Sequence, residues 1–335
     1  MMKLSNRNVN RTRLRSRLGT HLGTHLGNTA TLVVLAASVV GTPAQALDFY
    51  GEINMSRQEI SEGNENFSSI RSNGSAIGVT EERALNHGIS AEFLLEYEIM
   101  PDQPVASTGG NYEQEPLTLS AGYVGLIGAA GKLKIGYFST PLNILGEGVD
   151  HFTDLKGDKA RFISSGDVDI SDAVMYTSPE WQHLTARISH VSYEDENSNQ
   201  SDGTSISLAY ETDALFAGVA YDTEVEGDDI DLFRAVVRYP VGPVQVGMLW
   251  ERRDALIEDD ATYGWLLSAD IEVSPELSIQ AQHGRSDNQL ENGRSSSIGA
   301  TYSLGEDVSL YLFATRNRSD TDKESEVGTG ISYVF

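Results

Sequence analysis

The feature that most constrains the fold is a period of two in hydrophobicity, which recurs along the chain after residue 46. Apolar, β-branched and aromatic residues alternate with polar ones, and helical periodicity is nearly absent. Turn residues separate these runs, so each run is interpreted as a β-strand. Sixteen segments have the pattern: 47–58, 68–80, 88–100, 117–127, 131–139, 172–178, 181–193, 203–212, 215–224, 231–240, 243–252, 262–273, 277–286, 294–303, 307–317 and 326–335.

The connections between these strands alternate in length. A short set lies near 128–131, 178–180, 212–214, 241–242, 274–276 and 304–307. A long, acidic set lies at 59–67, 101–116, 140–171, 194–202, 225–230, 253–261, 287–293 and 318–325. Short turns at one rim and long loops at the other are typical of an outer-membrane barrel, whereas a soluble sandwich has no reason to sort its loops in this way.

The faces of the strands also fit a barrel in lipid. In one segment Tyr263, Trp265 and Leu267 share a face, while Gly264 and Ser268 share the opposite one. Each strand with its connection takes about 18 residues, enough for a spanning strand of about 9–11. The sequence therefore predicts an all-β, transmembrane antiparallel barrel of about 16 strands, a size that encloses an aqueous channel.

The N-terminal segment has the pattern of an export signal. Its first 17 residues carry six basic and no acidic side chains, 29–40 is a short apolar run, and Ala44 and Ala46 form a small-x-small cleavage pattern. We predict a cleaved signal peptide over 1–46 and a single barrel domain over 47–335. An amphipathic transit peptide is the alternative.

Charge and cysteine content exclude several functions. Residues 47–335 hold 18 basic and 49 acidic side chains, a net charge of −31. Nucleic-acid binding rests on cationic neutralisation of phosphates, so such a partner is excluded. The chain has no cysteine, which excludes disulfides and Cys-bound metals. The histidines show no metal-ligand spacing, so no metal site or cofactor is predicted; calcium binding by the acidic loops stays open.

Short stretches in consistent order resemble the general, trimeric, non-specific porins of Gram-negative bacteria. DFYGEI at 48–53 resembles the family's opening strand "TLYGKI". AGYVGL at 121–126 followed by GKLKIG at 131–136 resembles "QAFVGL…FGTLTLGR", and AVMYTSP at 173–179 resembles "NSVRYDSP". The resemblance implies an outer-membrane channel for passive diffusion of small hydrophilic solutes and ions, built as a homotrimer and without a reaction. It also implies that the connection 101–116 latches neighbouring subunits.

In the resembled family the loop after the fifth strand folds inward and narrows the pore, which implies that 140–171 is a constriction loop. Its acidic residues are Glu147, Asp150, Asp154 and Asp158. The spacing of Asp150 and Asp154 allows both on one helical face. The alternative is a solvated extracellular loop.

The basic wall cluster of the family is largely missing. Strand parity directs four of its positions to the lumen, and they hold Glu52, Ala76, Ser120 and Thr177. Three other basic residues with lumen parity are Arg187, Arg234 and Arg238, which we interpret as local charge partners. Rings of acidic residues favour cations, so the sequence predicts a cation-preferring channel.

The last strand resembles the signal read by the outer-membrane assembly machinery, because Ile331, Tyr333 and Phe335 alternate up to a terminal Phe. The acidic loops suggest loose bridging to lipopolysaccharide through divalent cations. Two rival functions stay open. One is a substrate-selective porin, and the other is an outer-membrane enzyme or adhesin, for which no catalytic set is apparent.

Overall fold

The computed structural model describes residues 47–102, 117–192, 202–255, 260–289 and 291–335. These residues form one antiparallel sheet of seventeen strand segments that closes on itself. The segments are β1 Asp48–Glu62, β2 Glu65–Ser72, β3 Ala76–Ala84, β4 Ser90–Ile99, β5 Leu117–Gly128, β6 Gly131–Ser139, β7 Asp169–Thr177, β8 Leu184–Val191, β9 Gly203–Glu211, β10 Phe216–Thr223, β11 Ile230–Val241, β12 Val244–Ala255, β13 Thr262–Glu272, β14 Leu277–Ser286, β15 Gly293–Ser303, β16 Val308–Arg318 and β17 Lys323–Val334.

Closure makes this a sixteen-stranded barrel, as predicted. β1 pairs along its length with β17, and on its other edge with β2 and then β3. β2 and β3 therefore form one barrel strand interrupted at 73–75. Gly74 has a φ of +68°, which favours glycine, and Asn73 N donates to Asn54 O at 2.9 Å. The predicted strand 68–80 runs through this break, because no change in the polarity pattern marks it.

The two faces of the strands are those predicted. Outward residues such as Met248 and Leu267 are 41% and 43% exposed, and the inward Glu251 is fully buried. Tyr263 and Trp265 lie on the outward face near the end of β13, where aromatic girdles of membrane barrels lie. Among the described residues no helix is long and apolar enough to cross a membrane.

The loop lengths agree with the prediction at several turns of the short rim and differ in places on both rims. β5 and β6 are joined by two residues, as are β11 and β12. The predicted loops 59–67 and 318–325 are wrong: only 63–64 and 319–322 lie outside strands. The strand ends in these segments are polar and lack the apolar alternation, so the sequence pattern alone predicts loops there. The short turn predicted at 178–180 extends to residue 183. The predicted loops 101–116, 194–202 and 253–261 lie partly outside the described residues.

The two rims give a direct test of topology. Thr321 and Gly305 occupy exposed turns at opposite ends of neighbouring strands. Because the chain has no cysteine, each Cys variant offers one reactive thiol. We expect a membrane-impermeant maleimide to label Thr321→Cys on intact cells and Gly305→Cys only after lysis. Equal labelling on intact cells would contradict the orientation.

Candidate pore constriction

The connection between β6 and β7 folds into short helical turns inside the barrel. Helix α1 covers Pro141–Gly146, a 3₁₀ turn covers Glu147–Val149, and helix α2 covers Lys159–Phe162. The side chain of Thr140 accepts the backbone N–H of Asn143 at 3.0 Å and caps α1. Proline follows at the first helical position, where its missing N–H costs nothing.

Apolar side chains attach this loop to the inner wall. Leu232, Leu249 and Leu266 are fully buried on the inward faces of β11, β12 and β13. They form one cluster with the loop residues Leu142, Leu145, Val149, Phe162 and Ile163. Burying each such side chain contributes roughly 1.5–3 kcal/mol. The sequence carried a signal for this contact, because these leucines interrupt faces that are otherwise polar.

Glycines on the inner wall make room for the same loop side chains. A Cβ added at Gly247 would lie 2.9 Å from Val149 Cγ1, and one added at Gly284 would lie 2.7 Å from Ile163 Cδ1. Leu145 lies over Gly218 and Phe152 over Gly299 in the same way. The loop therefore follows the wall from β10 to β15 in close contact.

A buried ionic network holds the two ends of the loop together. Arg234, on β11, is fully buried. It donates to Glu251 Oε2 at 2.9 Å from Nε, and from Nη1 to Asp167 Oδ1 at 2.8 Å and to Leu142 O at 3.0 Å. Lys159 Nζ donates to the other Asp167 oxygen at 2.5 Å. Arg234 is thus an anchor of the loop.

The charges of this network are balanced at Asp167. Burial alone opposes ionisation of its carboxyl, but Lys159 and Arg234 outweigh burial and hold the pKa of Asp167 below its usual value. Burial likewise opposes the charge of Lys159, and the carboxylates around it raise its pKa above the usual value. Both side chains are therefore charged at neutral pH, and their attraction stabilises the docked loop.

Two of the predicted constriction acids accept hydrogen bonds from backbone N–H groups of their own loop. Asp150 accepts the backbone N–H groups of Phe152 and Lys159, both at 2.9 Å. Asp158 accepts those of Ala160 at 2.8 Å and Asp154 at 2.9 Å. The prediction of one helical face for positions 150 and 154 is wrong. The segment between the 3₁₀ turn and α2 is irregular, and Asp154 has a φ of +65°.

Asp154 occupies the tip of the loop against the opposite wall. Its carboxylate lies over Gly74, where any Cβ would displace it. Burial raises the pKa of Asp154 well above its usual value, and the nearby carboxylates of Asp158, Glu98 and Glu52 raise it further. Burial and Asp150 raise the pKa of Asp158 to about 7. Acids from the loop, β1 and β4 thus face one another. Glu147 is half-buried in the 3₁₀ turn.

The wall positions predicted from parity are also placed. Glu52, Ala76 and Ser120 are buried on inward faces. Glu52 accepts from Ser332 Oγ at 2.6 Å, and Ser120 Oγ donates to Glu96 Oε1 at 2.8 Å. None of these three positions holds the basic residue that the family has there: Glu52 is itself a carboxylate, and Ser120 donates to one.

The remaining predicted positions lie on β7, β8 and β11. Thr177 is half-buried and pairs across the sheet with Lys132 and Arg187. Arg238 lies over the ring of Phe216, 5.2 Å from its centroid, and donates to Gly148 O at 3.3 Å. These basic side chains lie on β6, β8 and β11, whereas Glu52 and Glu98 lie on β1 and β4.

A cavity of about 80 Å³ lies between the loop tip and the walls formed by β1 and β14–β17. Its lining includes Glu52 and Asn54 from β1, Asp154 from the loop, Gln280 from β14 and Tyr311 from β16. Tyr311 Oη donates to Asn54 Oδ1 at 2.5 Å. Within the described part of the chain, no group of three or more His, Cys, Asp or Glu is placed to hold a metal.

Fold and site together define a transmembrane β-barrel channel with a loop docked inside it. A family model described as Gram-negative porin matches residues 29–322. The chain therefore belongs to the Gram-negative porin family and is an outer-membrane channel protein. No curated protein matches the chain.

Solved structures with the same fold include the "Anion-selective porin from Comamonas acidovorans", with a TM-score of 0.69 and 16% identity over 87% of this chain and 99% of that one. "Salmonella typhi OmpF complex with Daunomycin" has a TM-score of 0.67 and 16% identity over 86% and 97%. OmpT of Vibrio cholerae in its trimer form has a TM-score of 0.64 and 13% identity over 87% and 99%. At these identities the likeness establishes the fold.

Proposed function

We propose that the protein is a cation-preferring diffusion porin for small hydrophilic solutes, narrowed by the docked loop 140–171, and that it carries no catalytic activity. The observation that supports this proposal most strongly is that Glu52 and Asp154 line the same cavity at the loop tip, with Glu98 close enough to act on Asp154 electrostatically. Fixed negative charge in a narrow aqueous passage raises the local cation concentration and repels anions.

The proposed preference differs from that in the name of one structural neighbour, the anion-selective porin of Comamonas acidovorans. That neighbour shares 16% identity with this chain, so its selectivity does not transfer. In this chain the wall beside the loop tip carries Glu52 and Glu98, whereas Arg234 is neutralised by Glu251 and Asp167. The unbalanced charge near the tip is negative.

Channel formation is tested by planar-bilayer recording of the refolded protein. We expect stepwise increases in conductance, and uptake of small sugars by proteoliposomes at rates that fall with sugar size. A loop that fills the lumen entirely would give neither result. The rival hypothesis is a substrate-selective porin. Such a channel would instead show saturable transport, and one solute at low concentration would block its conductance.

The selectivity is expected to depend on pH. The ordinary pKa of an aspartate in water is 3.8, and that of Asp154 is raised. Below this raised pKa the carboxyl is neutral and adds no fixed charge, while above it the charge is present. Cation preference should therefore increase as pH rises above the ordinary pKa of an aspartate. Reversal potentials measured from acidic to mildly alkaline pH check the trend. Asp154→Asn should flatten it, and an equally steep trend in this variant would refute the assignment.

We propose that the protein assembles as a homotrimer, after cleavage of the signal peptide 1–46. The trimer form of Vibrio cholerae OmpT, which has the same fold, supports this proposal. The predicted latch lies at 101–116, and residues 103–116 of it are outside the described residues. Divalent cations would bridge the acidic loops, such as Asp228 and Asp229 between β10 and β11, to lipopolysaccharide.

The assembly machinery is proposed to read the terminal strand. Phe335 closes the barrel, because its backbone exchanges two hydrogen bonds of 3.0 Å with Gly51 and its ring lies over that glycine. Ile331 and Tyr333 are exposed on the same outward face. Deletion of Phe335 should strongly reduce outer-membrane insertion and leave export intact, as measured by cell fractionation. Phe335→Tyr, the matched control, should insert normally.

The same deletion separates recognition from stability. If Phe335 acts as a signal, the purified deletion variant should still refold in detergent with a yield near that of the wild type. Loss of refolding in detergent would show that the residue acts by closing the barrel, and a normal cellular yield would dismiss both roles.

A further inference from the structure

Four basic side chains lie side by side on the outward face of the barrel. Arg285 on β14 pairs directly with Arg294 on β15, which pairs with Arg318 on β16, which pairs with Lys323 on β17. Directly opposed residues in an antiparallel sheet have Cβ atoms about 4.5–5.5 Å apart, and like charges in such pairs are destabilising. A barrel with a large excess of acids thus concentrates positive charge on four neighbouring strands.

A fifth cation extends the row toward the membrane. Arg316 lies two residues before Arg318 on the same face of β16, opposite Ser296 and Ser325. Arg294, Arg316, Arg318 and Lys323 are exposed and Arg285 is half-buried. These five residues, which we call the basic row, are five of the 18 basic side chains after position 46.

Other outward arginines are paired with acids, and the basic row is not. Arg57 contacts Glu59 at 2.6 Å and Arg252 contacts Asp254 at 2.8 Å, each two residues along the same strand. In the described residues, none of the five members of the basic row forms an ion pair with a carboxylate. The acids two residues beyond Arg285 and Arg318 are engaged elsewhere, since Asp287 and Asp320 both accept from Asn292.

The basic row lies where lipid head groups begin. Farther along the same outward faces, Ile298, Leu312 and Val327 are 57%, 60% and 59% exposed, as in the apolar belt of a membrane barrel. Trp265 is the direct cross-strand partner of Arg285. Tryptophan is enriched at the level of head groups, which places the basic row at the same depth.

We propose that the basic row binds the phosphate groups of an anionic lipid in the outer leaflet by direct contact, without a bridging metal. Guanidinium groups bind phosphate bidentately. When several arginines surround one pair of phosphate groups, the negative charge of the phosphates offsets the repulsion between the arginines. The proposal rests on the orientation in which the long connections face outside. It adds a site distinct from the acidic loops, which need a divalent cation to hold the same lipid.

The test compares lipid retention by full-length barrels refolded in vesicles of phosphatidylcholine with bis-phosphorylated lipid A, or with the same lipid A after dephosphorylation. After extraction in mild detergent, native mass spectrometry counts the lipid A molecules that remain on each barrel. We expect only the phosphorylated lipid A to remain on the wild type. The double variant Arg294→Gln/Arg318→Gln should bind this lipid at least about tenfold more weakly than the wild type.

The matched control is Arg57→Gln with Arg252→Gln, which removes two outward arginines that already have acidic partners, and it should retain the lipid like the wild type. Retention should survive EDTA and fall at high salt. EDTA is therefore present throughout the comparison, to remove any lipid held by the acidic loops through divalent cations. Complete loss of lipid in EDTA, equal loss in the control pair, equal binding of dephosphorylated lipid, or a change in subunit number without a change in bound lipid would each overturn the proposal. Channel conductance is measured on the same samples, so failure of the site is distinguishable from failure of the proposed function.

Discussion

Replacing Arg234 with methionine is expected to release the constriction loop. The substitution keeps most of the side-chain volume but leaves Glu251 and Asp167 buried beside the loop without their shared cation. Breaking a buried pair by removing one partner typically costs about 3–5 kcal/mol. We therefore expect a lower midpoint of unfolding in guanidinium chloride, and trypsin cleavage near Arg161, whose side chain is 40% exposed in the intact barrel.

Two further variants make this result specific to the anchor. Arg238→Met removes an arginine that stacks on Phe216, donates to a backbone carbonyl and lies 3.9 Å from the exposed carboxylate of Glu211. Because this ion pair is exposed, the cost of the substitution should stay below about 1 kcal/mol. Glu251→Gln added to Arg234→Met removes one stranded charge and should recover part of the loss. An Arg234→Met barrel with wild-type stability and an uncleaved loop would refute the anchoring role.

Neutralising Glu52 and Asp154 together is expected to abolish most of the cation preference. Both line the cavity at the loop tip, and the charge of Glu52 adds to the cost of ionising Asp154. Glu52→Gln with Asp154→Asn keeps size and hydrogen-bonding capacity and removes up to two charges. The effect should be larger at 0.1 M than at 1 M salt, because the Debye length falls from about 10 Å to about 3 Å. Reversal potentials at both salt concentrations measure it.

The control is a pair of exposed acids at the two rims, Glu306→Gln with Asp229→Asn. It removes the same formal charge far from the constriction, and we expect it to leave selectivity nearly unchanged. If the rim pair reduced selectivity as much as the constriction pair, the net charge of the barrel would be responsible and the local placement of Asp154 would be wrong.

The strands and their faces were predictable because they depend on local alternation. Successive side chains of a strand point to opposite faces of the sheet, so the position of Met248 or Glu251 in its strand decides whether it faces lipid or lumen. The break at 73–75 was not predictable, since it depends on Gly74 adopting a positive φ and on hydrogen bonds to Asn54, which lies about 20 residues earlier.

The site was harder to predict, because its contacts cross the barrel. Asp150 and Asp158 have the residue type of selectivity groups, yet they bind backbone N–H groups of their own loop. Glu98 was missed because no pattern in its strand relates it to residue 154. Leu249 and Leu266 did carry a signal, since an apolar residue on a lumen face must be covered by something, and here the loop covers both.

If the passage beside the docked loop is negatively charged, the channel must prefer cations. The decisive measurement is the reversal potential of the wild-type channel under a tenfold KCl gradient. We expect a potential of the sign that marks preferential K⁺ passage, increasing at low salt. A potential of the opposite sign, showing preferential Cl⁻ passage, would contradict it.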